Sequence, residues 1–124
     1  MMICYLTTKL KIQGLLSMRN NIIIEKVINY AEKIINYSNG KNYESFSNDT
    51  MLVEACVFNL SQIGELVRHL DRDFIEQHSD IPWAQMRGLR NRIIHDYEGV
   101  NLMLVWEIIK YDIPTLIVKL KEIQ

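Results

Sequence analysis

Residues 50–70 read TMLVEACVFNLSQIGELVRHL, and the spacing of their apolar side chains decides the class of fold. Val53, Cys56, Val57, Leu60, Ile63, Val67 and Leu70 recur at steps of three and four, the period of one face of an α-helix. Gly64 lies on that side, where the absence of a Cβ permits close approach of a neighbouring helix. Asn48 or Asp49, just upstream, can accept the free amides of the first turn. Working outward toward the N-terminus, Ile24, Val27, Ile28, Ala31, Ile34 and Ile35 keep the same period between Asn20 and about Tyr37. Ser38-Asn39-Gly40 then supplies a stop. Lys41 to Asp49 has no period and is rich in Asn and Ser, which predicts a loop, with antiparallel helices on either side of it. In the other direction, the charged stretch Asp71 to Asp80 offers only Phe74 and Ile75 as anchors and predicts a short helix or turn. Pro82 opens a further helix through Met86, Leu89, Ile93 and Tyr97, interrupted at Gly99. Asn101 can cap a last stretch carrying Leu102, Val105, Trp106, Ile109, Ile113, Leu116, Ile117 and Leu120, which Pro114 should kink or divide. No segment alternates strictly enough to demand a strand. The expected fold is all-α, a bundle of four or five helices.

Composition narrows the function. A chain of 124 residues is one domain long. Its 48% apolar and 23% charged residues, with two prolines and five glycines, are too apolar for disorder and too poor in turn formers for a many-stranded sandwich. Fourteen Lys+Arg against fifteen Asp+Glu leave a net charge of −1, so no global basic field recruits nucleic acid, and any such site must be local. Cys4 and Cys56 have no CxxC spacing and no nearby His pair, so neither a zinc site nor a disulfide framework is readable, and a reducing cytoplasm fits best. No apolar run approaches the roughly 20 residues of a membrane span. Lys9 and Lys11 interrupt the apolar Met1–Ser17 where a secretory signal would need continuity.

Functional side chains are densest at residues 87–97, RGLRNRIIHDY. On an uninterrupted helix Asn91 and His95 would lie about 40° apart and share a face, with Arg87 about 40° to the other side of Asn91. Arg90 would lie about 140° from His95, so that pair meets only if the helix ends between them, if Arg90 folds back, or if two chains contribute. The mismatch favours a site at a chain interface. Chemically, a guanidinium can hold two phosphate oxygens and an imidazole titrates near neutral pH, which together handle a phosphodiester without a metal ion or other cofactor. RNA supplies its own nucleophile, the ribose 2′-hydroxyl, and DNA does not. Arg and His on a half-exposed helix are also commonly a solvated face with weak ion pairs. Glu65 is either a surface carboxylate or the group that orients an arginine. Tyr97 alone reads as a packed ring with a wet hydroxyl, His69 and His78 as surface residues, and Trp83 and Trp106 as core or interface rings.

The run Arg90, four residues, His95, one residue, Tyr97 resembles the signature of the HepT-like family of HEPN-domain proteins. Ile63-Gly64-Glu65, Ile81-Pro82-Trp83, Val105-Trp106 and Asp112-Ile113-Pro114 add to the likeness, which spans roughly Asn20 to Leu120. The resemblance implies a helical domain over residues 18–124, with residues 1–17 an extension outside it. It also implies a homodimer in which the Arg/His motifs of two chains face one cleft. The implied activity is that of a metal-independent endoribonuclease toxin, with Arg90 and His95 catalytic and Asn91, Arg87 and Glu65 in support. A candidate target is tRNA. The implied partner is a minimal nucleotidyltransferase (MNT) antitoxin that transfers AMP to the motif tyrosine, here Tyr97. A second reading remains open, a non-catalytic helical module that holds a nucleotide or docks such a nucleotidyltransferase.

Overall fold

The computed structural model describes residues 2–95 and 99–124, in the order α1 (Met2–Ser38), α2 (Tyr43–Ser47), α3 (Thr50–Val67), α4 (Arg72–Gln77), α5 (Trp83–Arg87), α6 (Leu89–Ile93), β1 (Ile94–His95), β2 (Gly99–Val100), α7 (Leu102–Glu107), a π-helical segment (Ile108–Asp112) and α8 (Ile113–Glu122). The expected all-α bundle is present. It is built on three long rods, α1, α3 and the run from α7 to α8, with the short helices packed between them. α1 and α3 are antiparallel and form the most extensive pairing: the Asn20 side chain, midway along α1 where its buried half begins, accepts the Asp71 amide just past the end of α3 at 3.1 Å. Val27, Ala31, Cys56, Leu60, Ile63, Val67, Ile93 and Val105 are fully buried along these interfaces, each such side chain contributing roughly 1–3 kcal/mol by removal from water.

The local signals account for most boundaries. Asp49 accepts the Leu52 amide at 3.1 Å and starts α3, Asn101 accepts the Leu104 amide at 3.1 Å and starts α7, and α1 stops at Ser38 before Gly40, whose φ is 75°. α3 is long and apolar enough to cross a membrane by length and composition, but its apolar stripe is spent inside the bundle against α1, α5 and α6. The thiol of Cys56 sits on that stripe, and burial pushes it up from 9.0 to about 11.

Several expectations are corrected. α1 does not begin near Asn20 but runs back to Met2, because residues 2–19 hold no proline and a single glycine, Gly14; Ile3, Tyr5, Leu10 and Leu15 on that projecting part are exposed, and full burial starts at Asn20. The loop expected at 41–49 contains α2, started by a capping box in which Asn42 accepts the Ser45 amide at 2.8 Å and Ser45 accepts the Asn42 amide at 3.0 Å. Phe46 of α2 is fully buried and meets Trp106 with ring centroids 5.2 Å apart. The helix opened by Pro82 is broken at Gly88 and finished at Ile93, and the next residues form a two-residue antiparallel ladder, Ile94 opposite Val100 and His95 opposite Gly99. His78 is half-buried rather than superficial, its ring tilted against Phe74 with centroids 4.6 Å apart, while its carbonyl accepts the Trp83 indole N–H at 2.9 Å. Pro114 does divide the last rod. The Ile113 amide bonds to the Ile108 carbonyl five residues back, the widened turn that relieves a proline ring of the clash it would make in a regular helix.

Candidate functional site

The site is built from the close approach that Gly64 allows. A Cβ at Gly64 would lie 2.9 Å from the Met86 carbonyl oxygen and 3.5 Å from that of Arg87, so the end of α5 rests directly on the α3 backbone. Gly88 then resets the chain direction, its carbonyl accepting the Arg92 amide at 3.0 Å. The single helical turn and a half of α6 turns Leu89 and Ile93 into the core and leaves Arg90, Asn91 and Arg92 exposed. Among the described residues no carboxylate pairs with Arg87, Arg90 or Arg92, three guanidiniums that lie within six positions of one another.

Because α6 ends at Ile93 and Ile94 is extended, with φ −111° and ψ 121°, the helical-face relation between Asn91 and His95 does not exist. The 140° separation of Arg90 from His95 lapses with it. One of the three conditions for their meeting, a helix that ends between them, is satisfied within a single chain. His95 is the last residue of β1 and pairs with Gly99, whose φ of 77° supplies the left-handed backbone that a short return needs. The base of this hairpin is held firmly: the Ile93 carbonyl accepts the Asn101 amide at 2.7 Å, Ile93 is fully buried, and Asn101 also caps α7. Tyr97, expected as the modified residue, falls in residues 96–98 and lies outside the described residues.

Glu65 is exposed and meets Arg68 at 3.7 Å and His69 at 3.6 Å on its own helix. Its described partners therefore include an arginine, but not one of the 87–97 run. Arg87, the last residue of α5, lines a groove with Arg68 and Arg72 at the end of α3 and the start of α4. Sequence reasoning passed over those two arginines. Arg92 turns to the opposite flank, into a cleft of about 170 Å³ between α5, α6 and the rod formed by the π-helical segment and α8. Among the described residues no group of three or more His, Cys, Asp or Glu side chains is placed to hold a metal ion.

Comparison with known proteins bears on this arrangement. The family model described as "Ribonuclease HepT-like" matches residues 27–123. A protein named "Putative RNase" from Caldanaerobacter subterraneus subsp. tengcongensis is 39% identical over 100 residues, covering 81% of this chain and 89% of its own. Another of that name from Methanocaldococcus jannaschii is 36% identical over 90 residues, 73% of this chain and 78% of its own. A "Probable ribonuclease HepT" from Thermococcus cleftensis is 32% identical over 93 residues, 75% of this chain and 84% of its own. No solved structure matches.

Proposed function

The chain belongs to the ribonuclease HepT-like family, and from that premise we propose that it is an endoribonuclease whose working groups are Arg90 and His95. The observation that supports this most directly is the chain path between them. α6 stops at Ile93, whose carbonyl accepts the Asn101 amide, so Arg90 is exposed on α6 while His95 follows at the end of β1 and is no longer bound to the far face of one helix.

The reaction follows from the chemistry of RNA. The 2′-oxygen attacks the adjacent phosphorus, the bond from phosphorus to the 5′-oxygen breaks, and the proton lost by the 2′-hydroxyl is balanced by the one gained by the leaving oxygen. The products are a cyclic 2′,3′-phosphate and a 5′-hydroxyl. His95 serves as acid or base in this transfer, a role that typically contributes about 10²–10⁴-fold. Arg90 holds the non-bridging oxygens and stabilises the charge that builds in the pentavalent state, on the order of 3 kcal/mol. Asn91 and Arg87 orient substrate from the exposed side of the same segment.

The wider reading is a toxin of the type VII-like kind, working in the cytoplasm as a homodimer with tRNA as a target. A minimal nucleotidyltransferase would act as antitoxin and place AMP on Tyr97. A phosphodiester-linked adenylate there would set negative charge against Arg90 and His95, where the substrate phosphate belongs. The near-neutral net charge favours the rival, a non-catalytic nucleotide-binding or docking module.

Cleavage of tRNA in EDTA separates the two. Wild-type protein is expected to cut. Arg90→Ala should lower the rate about 100-fold or more and His95→Ala about 10²–10⁴-fold. Absence of cleavage by wild type, or cleavage indifferent to both substitutions, leaves the docking module.

A further inference from the structure

Three cationic side chains from three successive helices, two of them four residues apart and the third fifteen residues further on, line one groove. The end of α3 brings Arg68, the start of α4 brings Arg72, and the end of α5 brings Arg87, around a groove of about 410 Å³ floored by Leu70 and Ile75. Arg87 ends α5 and Arg90 lies in α6, which starts two residues later, so consecutive short helices carry the groove and the guanidinium assigned to the scissile phosphate.

The carboxylates in reach do not neutralise this groove firmly. Arg72 pairs with Glu76 at 3.2 Å, but the arginine side chain is 90% exposed and the glutamate 64%. Arg68 pairs with Glu65 only at 3.7 Å, and Glu65 is shared with His69. Exposed pairs of this kind within one helix are worth about 0–1 kcal/mol. A phosphate diester, which can accept from two guanidiniums at once, displaces such a carboxylate at little cost. Arg87 has no carboxylate to displace among the described residues.

We propose that the groove formed by Arg68, Arg72 and Arg87 is a subsite for the sugar-phosphate backbone of single-stranded RNA, engaging phosphates beyond the scissile linkage. The proposal rests on the ribonuclease reading for its substrate. It explains how a chain of net charge −1 can hold RNA: the positive charge is concentrated along one groove instead of spread over the surface. The Glu76 carboxylate acts there as a competitor of the backbone phosphate for Arg72.

Two measurements test it. In the first, full-length His95→Ala protein, which retains the groove, is titrated with a fluorescent single-stranded RNA at several salt concentrations. Adding Arg68→Ala or Arg72→Ala should weaken binding about tenfold at low salt, the scale of one charge-assisted hydrogen bond, and should make the slope of log Kd against log salt shallower by about 0.7. Adding Glu76→Gln should tighten binding. Unchanged affinity and slope in the two arginine variants overturn the proposal, as does weakening by Glu76→Gln. The second measurement compares kcat/KM for a long RNA with that for a dinucleoside monophosphate too short to reach the groove. Arg68→Ala and Arg72→Ala should reduce this ratio about tenfold, and Glu76→Gln should raise it. An equal fall on both substrates would mean that the arginines only support the fold, and would overturn the proposal. Should the wild type cleave neither substrate, the ribonuclease reading fails, and the titration still decides whether the groove binds RNA.

Discussion

At Gly64 one missing methyl group sets the position of Arg87 and Arg90. Because a Cβ there would meet the Met86 carbonyl oxygen at 2.9 Å, backbone against backbone, no rotation of a side chain can relieve the contact. Gly64→Ala gains about 1 kcal/mol in helix propensity and loses roughly 1–3 kcal/mol in overpacking. The expected result is a protein destabilised by about 1 kcal/mol in urea unfolding, with α5 pushed away from α3. Arg87 ends α5 and Arg90 lies in α6 directly after it, so both move with α5, and RNA cleavage should fall by more than the small rise in unfolded protein explains. Full activity in a folded Gly64→Ala protein would detach the site from this contact. The glycine was legible from its place on the apolar stripe, where a small residue has a packing reason. Arg68 and Arg72 were not, since they meet Arg87 only after α3, α4 and α5 are packed and nothing in their own neighbourhood marks them.

Elements differ in how openly they are written. Starts and stops governed by a local hydrogen bond or a left-handed residue, such as Asp49, Asn101 and Ser38-Asn39-Gly40, could be read directly, because the cause lies within four residues of the effect. The end of α6 could not. Leu89 and Ile93 keep a four-residue step through the core whether or not the chain stays helical, so periodicity reports which side chains are buried and is silent on where the hydrogen-bond ladder stops. A two-residue ladder is likewise too short to alternate. α3 carries a consequence of its own. Its Cys56 thiol is fully buried, and burial holds it neutral up to about 11, whereas in the unfolded chain it ionises near 9.0. The raised value therefore adds stability that is fully present below pH 9.0 and is lost as pH climbs toward about 11. Over that window the wild type should lose roughly 2–3 kcal/mol more than Cys56→Ala does. Parallel decline of the two proteins would show that the thiol contributes nothing to the alkaline limb.

For the whole molecule, the open question is how many chains make one site. The helical-wheel mismatch between Arg90 and His95 pointed to an interface, but the mismatch disappears once α6 ends at Ile93. The proposed homodimer then draws no support from that mismatch, and it has two possible forms. In one, each cleft contains the arginine and the histidine of the same chain; in the other, the arginine of one chain serves the histidine of its mate. Mixing inactive subunits distinguishes them. When Arg90→Ala and His95→Ala proteins are unfolded together and refolded, about half of the dimers are expected to be mixed. A shared site regains one intact Arg/His pair in each mixed dimer, for about a quarter of the wild-type rate. A site contained within one chain regains nothing, because every chain lacks one group. We expect no recovery, because α6 ends at Ile93 and the two groups follow one another along a short stretch of a single chain. Recovery to about a quarter of the wild-type rate, in a mixture shown by mass spectrometry to contain mixed dimers, would overturn this and give the arginine of one chain to the histidine of its mate.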